Sequence, residues 1–306
     1  MATSVTVLMG GWSSEREVSL VSGANIAQAL ADGGYDVRTI DLQHDILALI
    51  QALTPPPDVV FNALHGRFGE DGTVQGLLEL LGIPYTHSGV LASALAMDKP
   101  MAKRLFTEVG IRCAEHVIAS REDALAGAVM DPPYVIKPLN EGSSVGVKIV
   151  LQPDDASDGD AGEEAFAEVV MVERYVRGRE ITVAVMGDHA LGVTEIRPRD
   201  GFYDYSAKYT EGLTDHLVPA PMPAEPYDEA MRYAVLAHRT LGCRGVTRAD
   251  MRYDDTAGEP GEVVLLEINT QPGMTPMSLV PELASHAGIE FAELVGWMVE
   301  NAACDG

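Results

Sequence analysis

The chain has 306 residues, 46% of them apolar, enough for two or three units with substantial cores. Its 46 acidic residues against 21 basic ones give a net charge of −25, a field that repels nucleic acid and anionic membranes. Three scattered cysteines (Cys113, Cys243, Cys304) make neither a disulfide framework nor a zinc site. No apolar run approaches a membrane span, and Met1–Met9 lacks the length and basic lead of a signal peptide, so a cytoplasmic location is expected.

Thr3–Met9 reads as a strand running into Gly10-Gly11. A helix follows, with Leu20, Ala24, Ala27 and Leu30 at helical spacing and Gly33-Gly34 as its stop. Ser14-x-x-Glu17 has the form of a capping box, which accounts for Glu17. Glu15 is then left facing the strand ends, where a carboxylate can hold a substrate ammonium. Val37–Leu42 is a second strand, Asp45–Leu53 a helix and Asp58–Leu64 a third strand. This β-α-β-α-β order argues a parallel open sheet with ligands at the carboxyl ends of its strands, where Gly10–Glu15 and His65–Gly72 fall. His65 is a candidate substrate contact or proton relay, although a lone loop histidine is more often neither. No GxGxxG is present, which argues against a dinucleotide site.

Thr73–Leu81 is helical, Ile83–His87 a short strand, and a new unit starts near Ala94. Met97–Val109 reads as a helix, Cys113–Ala119 as a strand and Arg121–Val129 as a helix. Tyr134–Pro138 and Val147–Leu151 are strands around EGSSVG, whose amides, with the Ser143 and Ser144 hydroxyls, can cradle phosphate beneath the Lys137 ammonium. This is not a Walker A loop, and a glycine-rich hairpin turn is the plainer account. Pro153–Glu164 is an acidic, low-complexity surface loop. Glu168–Val176 and Glu180–Met186 are strands. Glu173 and Glu180 can accept from an adenine amino group and ribose hydroxyls, with the Tyr175–Val176 backbone along the ring edge; charged strand ends are the alternative. Ala190–Arg197 is a strand. Residues 201–223 form a loop long enough to be a lid, delivering Lys208 and Tyr209. A helix over Tyr227–Leu241, a β-hairpin, and helices around Pro281–Ala287 and Phe291–Ala302 complete the chain.

The hairpin joins GVTRADMRYD to EVVLLEIN through TAGEPG. Side chains alternate along a strand, so Arg248 shares a face with Asp250, and Glu267 with Asn269. Three hard oxygens on adjacent strands suit Mg²⁺, completed by water and phosphate. The other reading is a hairpin with acids on its solvent face. Gly273 then allows a backbone N–H to approach a ligand, and Ser278 precedes a helix whose N-terminus favours anions.

Taken together, GGWSSEREVS, LHGRFGEDGTVQG, MDK, KPxxEGSSVG, YDYxAKY, RADM and LEINTxPGMTxxSLVP, in this order over nearly the whole chain, resemble the D-alanine–D-alanine ligases of the ATP-grasp superfamily. The resemblance implies an α/β (α+β) ATP-grasp fold: an N-terminal open parallel α/β domain (1–93), a small central subdomain (94–181) and a C-terminal domain with an antiparallel sheet (182–306). It also implies ATP and D-alanine as substrates, two Mg²⁺ ions with Mn²⁺ as a substitute, and a homodimer.

Residue by residue, Glu15 is similar to the anchor of the first D-alanine's ammonium, in a network with Ser143 and Tyr209. Lys99, Lys137 and Lys208 resemble the lysines on the ATP phosphates. Glu173, Val176 and Glu180 stand at the adenine and ribose positions, and Asp250, Glu267 and Asn269 at the metal ligands. Arg248 and the Gly273 amide match the oxyanion donors, and Ser278 the contact to the second D-alanine's carboxylate. Leu139-Asn140, Gln271 and Pro276-Met277 depart from the commoner family residues. Related ligases with D-lactate or D-serine as acceptor, and a catalytically silent Mg-nucleotide module, remain as alternatives.

Overall fold

The computed structural model describes residues 2–140, 146–156, 167–199 and 212–305. The first sheet has three parallel strands, β1 (Ser4–Gly10), β2 (Asp36–Leu42) and β3 (Val59–Asn62), in the order β2-β1-β3. Central β1 is apolar on both faces because helices cover both. Val5 and Val7 pack with Ile26 and Leu30 of α1 (Arg16–Asp32), while Leu8 faces Leu49 of α2 (Ile46–Ala52) and Leu78 of α3 (Thr73–Leu81).

Two expectations fail in this region. The helix has no capping box: it starts at Arg16, with Glu15 at its cap position making no side-chain cap bond. Ser13, not Ser14, is the serine in use, accepting from the Glu15 amide at 3.2 Å and donating to the His65 carbonyl at 2.6 Å. Contact with the neighbouring loop has displaced the local cap. Ile83–His87 is not a strand either; Tyr85 alone makes isolated bridges, to Val60 and Ala303.

The helix expected over Met97–Val109 is α5 (Lys99–Glu108), and a separate helix, α4 (Val90–Met97), precedes it and meets it at Asp98. Asp98 caps α5 through the Met101 amide at 3.0 Å, and Pro100 sits in its first turn, where a missing N–H costs nothing. A second, antiparallel sheet has the order β4 (His116–Ser120), β7 (Val169–Arg174), β5 (Tyr134–Pro138), β6 (Lys148–Val150). One face (Tyr134, Ile136, Val170, Val172) packs on Ala124 of the short α6 (Arg121–Leu125). Alternation therefore puts Lys137 and Glu173 together on the other.

The third sheet is antiparallel, in the order β10 (Thr214–Leu217), β9 (His189–Pro198), β8 (Arg179–Met186), β11 (Val246–Asp254), β12 (Glu262–Asn269). β10 falls inside the segment expected to be loop. Four half-exposed residues carry too little pattern to read, and edge pairing with β9 makes them a strand. Val183, Ala249, Met251 and Leu265 face α7 (Ala224–Thr240), which contributes Tyr233, Ala234 and Ala237. The last helices, α8 (Leu279–His286) and α9 (Phe291–Glu300), return to the first sheet, and Val295 and Met298 share a core with Val5 and Val7.

Candidate active site

The β11–β12 register sets Asp250 opposite Glu267 and Arg248 opposite Asn269. An irregularity decides this. Met251 pairs with Leu265 while Asp250 pairs with Glu267, so Leu266 is a bulge residue without a register partner. Val263 and Leu265 point into the core; uninterrupted alternation would send Glu267 after them. The extra residue turns Glu267 and Asn269 to the face that carries Asp250.

The charges on this face are held by neighbours. Arg248 grips Asp250 through two hydrogen bonds, Nε to Oδ1 at 2.8 Å and a terminal nitrogen to Oδ2 at 2.6 Å. The Thr182 hydroxyl, from β8, donates to the same carboxylate at 2.7 Å. Lys99, at the start of α5, lies 3.5 Å from Glu267. Asn269 Oδ1 accepts from the Gln271 amide at 2.7 Å, which turns the chain after the strand.

Beside this face, the Lys137 ammonium meets Glu173 at 2.5 Å, and Lys103 of α5 ion-pairs with the other carboxylate oxygen. Burial pushes the Glu173 pKa up, but the two ammoniums outweigh it and hold the carboxyl below the usual range. Glu180 faces Arg252 across the β8–β11 pair at 3.6 Å, and Val176 sits half-buried in the connection from β7 to β8.

On the N-terminal side, Glu15 is buried against the His65–Gly72 loop; a Cβ added at Gly66 would come within 2.9 Å of its Oε2. His65 is no isolated loop histidine. Its Nε2 lies 3.2 Å from the Ser22 hydroxyl and its Nδ1 3.3 Å from Glu70, and Ser22 Oγ in turn accepts from the Met274 amide at 3.2 Å. The loop after β3 and the Pro-Gly-Met-Thr turn after β12 are thus tied together. Gly273 has Ser278 beside it: a Cβ there would lie 3.0 Å from Ser278 Oγ, which accepts from the Thr275 amide at 2.9 Å. Ser143, Ser144, Lys208 and Tyr209 lie outside the described residues.

The contacts of Lys103, Thr182 and Ser22 and the hydrogen bond between Asn62 and Gln271 escaped the sequence reading. Lys103 had a signal, standing one helical turn after Lys99. Thr182, Ser22 and the Asn62–Gln271 pair had none, because their contacts join strands and turns far apart in the chain. Asn62 Nδ2 donates to Gln271 Oε1 at 2.7 Å, and the Gln271 amide group donates to the Leu64 carbonyl.

A family model described as the D-ala D-ala ligase C-terminus matches residues 105–300, and one described as the N-terminus matches 49–88. A D-alanine–D-alanine ligase of Parvibaculum lavamentivorans is 58% identical over 306 residues, 99% of each chain. The chain belongs to the D-alanine–D-alanine ligase family. The D-alanine–D-alanine ligase of Bacillus anthracis, 34% identical, superposes with a TM-score of 0.83 over 98% of this chain and 97% of that one. The same ligase complexed with ATP gives a TM-score of 0.81 at 33% identity, with the same coverage. The three sheets described above are therefore those of an ATP-grasp ligase.

The family's cation can be tested against this donor set. Two carboxylates and an amide oxygen, with no nitrogen or sulfur among them, match the preference of Mg²⁺ or Mn²⁺ for hard oxygen. Among the described residues no three His, Cys, Asp or Glu side chains gather into a metal-holding group. A dication here would draw the rest of its shell from water and phosphate, as Mg²⁺ prefers. The residues fit.

Proposed function

We propose that the chain joins two D-alanines into D-alanyl-D-alanine at the expense of ATP, releasing ADP and phosphate, for peptidoglycan precursor synthesis. Two ion pairs bridged by α5 carry this reading: Lys99 at Glu267 of the β11–β12 hairpin, and Lys103 with the β5 residue Lys137 at Glu173 of β7. Such an arrangement can grip a polyphosphate and counter its charge. A carboxylate is a poor electrophile, so the γ-phosphoryl group of ATP first moves to a carboxylate oxygen of one D-alanine, giving D-alanyl phosphate and ADP. The amine of the second D-alanine then attacks the acyl carbon, and phosphate leaves as the peptide bond forms.

Positioning and charge neutralisation do most of the work in phosphoryl transfer. Lys99 and Lys137, with Lys208 and the Ser143–Ser144 loop, hold phosphate oxygens. Glu173, Val176 and Glu180 hold adenine and ribose. Asp250, Glu267 and Asn269 hold Mg²⁺, which supplies Lewis-acid charge at the phosphates when bound. Glu15, beside His65, holds the first ammonium, with Ser143 and Tyr209. Ser278 meets the second carboxylate. Arg248 and the Gly273 amide donate to the tetrahedral oxyanion, a contribution of about 3–4 kcal/mol per donor.

The unit boundaries we adopt are 1–93, 94–181 and 182–306. The homodimer and the cytoplasmic location expected from the sequence belong to the same reading. No helix among the described residues is long and apolar enough to cross a membrane; sedimentation velocity tests the dimer.

The deciding assay is phosphate release from Mg-ATP on adding D-alanine, with L-alanine as control and D-lactate and D-serine as competing acceptors. Release with D-alanine alone, yielding the dipeptide, is expected. ATP binding without D-alanine-dependent release would overturn the proposal in favour of a silent nucleotide-binding module.

A further inference from the structure

Glu173 is 2% exposed and faces two buried ammoniums, Lys137 at 2.5 Å and Lys103. Two positive charges against one negative leave a surplus cation, an arrangement that is costly in a protein interior unless an anion arrives to match it. The two lysines are not equivalent. Lys103 is 1% exposed on the inner face of α5, and its ammonium makes no hydrogen bond to another acceptor among the described residues. Lys137 is the last residue but one of β5, its side chain 10% exposed, just ahead of the segment that leads into EGSSVG.

We propose that Lys103 is a positioning residue for nucleotide binding: it is the permanent counter-ion of Glu173, and it thereby releases Lys137 to the triphosphate. This rests on the ATP site proposed above. There, Glu173 must stay ionised and oriented to accept from adenine while Lys137 turns to phosphate. With Lys137 as the only cation, the two tasks compete. With Lys103 fixed behind Glu173, the carboxylate keeps one full counter-charge as Lys137 moves away, and the incoming phosphate neutralises the surplus cation. Spacing gives Lys103 its place: α5 carries Lys99 toward Glu267 and, one turn later, Lys103 toward Glu173.

The test is ATP affinity by calorimetry, which needs no turnover, on the wild-type chain, Lys103→Met, Glu173→Gln and the double variant. Lys103→Met leaves a matched Glu173–Lys137 pair, so the chain stays folded; the Kd for ATP rises tenfold or more, and the KM for D-alanine moves less than twofold. Adding Glu173→Gln to Lys103→Met removes the carboxylate that retains Lys137 and brings the Kd for ATP back by at least threefold. The preference for ATP over inosine triphosphate, which lacks the amino group, stays reduced.

A Lys103→Met Kd within twofold of wild type overturns the inference, as do losses that simply multiply in the double variant. If Lys103→Met does not fold, recovery of folding by Glu173→Gln upholds the charge pairing, and no recovery refutes it. Failure of the wild type to consume ATP with D-alanine would sink the proposed reaction alone; failure of the wild type to bind ATP would sink both.

Discussion

The structure gives Gln271, in the turn after β12, a task that can be measured. Its side chain is 1% exposed and joins the turn after β12 to the end of β3, through Asn62 at 2.7 Å and the Leu64 carbonyl. Gln271→Leu keeps most of the volume and removes both hydrogen bonds. Asn62 Nδ2 keeps its bond to Gly69 at 3.0 Å but has one N–H left without a partner, and the Leu64 carbonyl loses a donor. Each orphaned buried group costs about 1–3 kcal/mol, so with two of them the variant should lose roughly 2–6 kcal/mol. At about 2 °C per kcal/mol for a chain of this size, the melting temperature falls by ~4–12 °C.

The same tie holds the Asn269–Ser278 turn against the His65 loop, so the variant's KM for D-alanine should rise more than its KM for ATP. Calorimetric melting, with initial rates in each substrate, measures both effects. A melting temperature within about 1 °C of wild type, with an unchanged D-alanine KM, would refute the role of Gln271 as a tie.

Arg248→Ala should lower kcat by about 10²–10³-fold if the guanidinium donates to the oxyanion. It should also destabilise the fold by about 2–3 kcal/mol by stripping Asp250 of its two charge-assisted bonds. Near-normal turnover removes it from the mechanism. Glu267→Gln should slow turnover by orders of magnitude while the chain still folds, because Gln keeps the shape of a side chain that is 30% exposed, read by rates beside circular dichroism. Excess chelator should abolish dipeptide formation and added Mg²⁺ restore it; full activity in chelator would refute the metal assignment.

His87 is fully buried, and loss of hydration first of all pushes its pKa down to about 3, with the nearby positive charge of Arg244 adding to that. An unfolded histidine titrates near ~6.5. Between those values the unfolded chain carries a proton that the folded chain lacks, so stability falls as pH drops through the window, by up to about 1.4 kcal/mol per pH unit. His87→Asn, which tolerates the left-handed φ of 70° at this position, should flatten that slope in urea melts between pH 4 and 6.5 by about one proton. An unchanged slope would show that His87 is not buried neutral.

The sequence by itself settled what repeats at short range. The apolar run of β1, the period of α1, the Gly33-Gly34 stop and the alternation of Arg248 with Asp250 were legible because strand and helix geometry fix which neighbours share a face. Motif order named the family, and the roles expected of its residues came with that resemblance. What the sequence could not say is who holds each functional side chain.

Glu267 reaches the site face only because a bulge at Leu266 interrupts the alternation that buries Leu265. Asp250 is oriented by Thr182 from a strand some seventy positions earlier, at a separation of 68 residues. The expected capping box at Ser14 gave way to Ser13 bonded across to His65, since a tertiary hydrogen bond outweighed the local one. Local pattern fixes the face of an isolated strand or helix. Register between strands, and the pairing of buried charges such as Glu173 with both Lys103 and Lys137, are set by contacts between distant segments, and only the folded chain decides those.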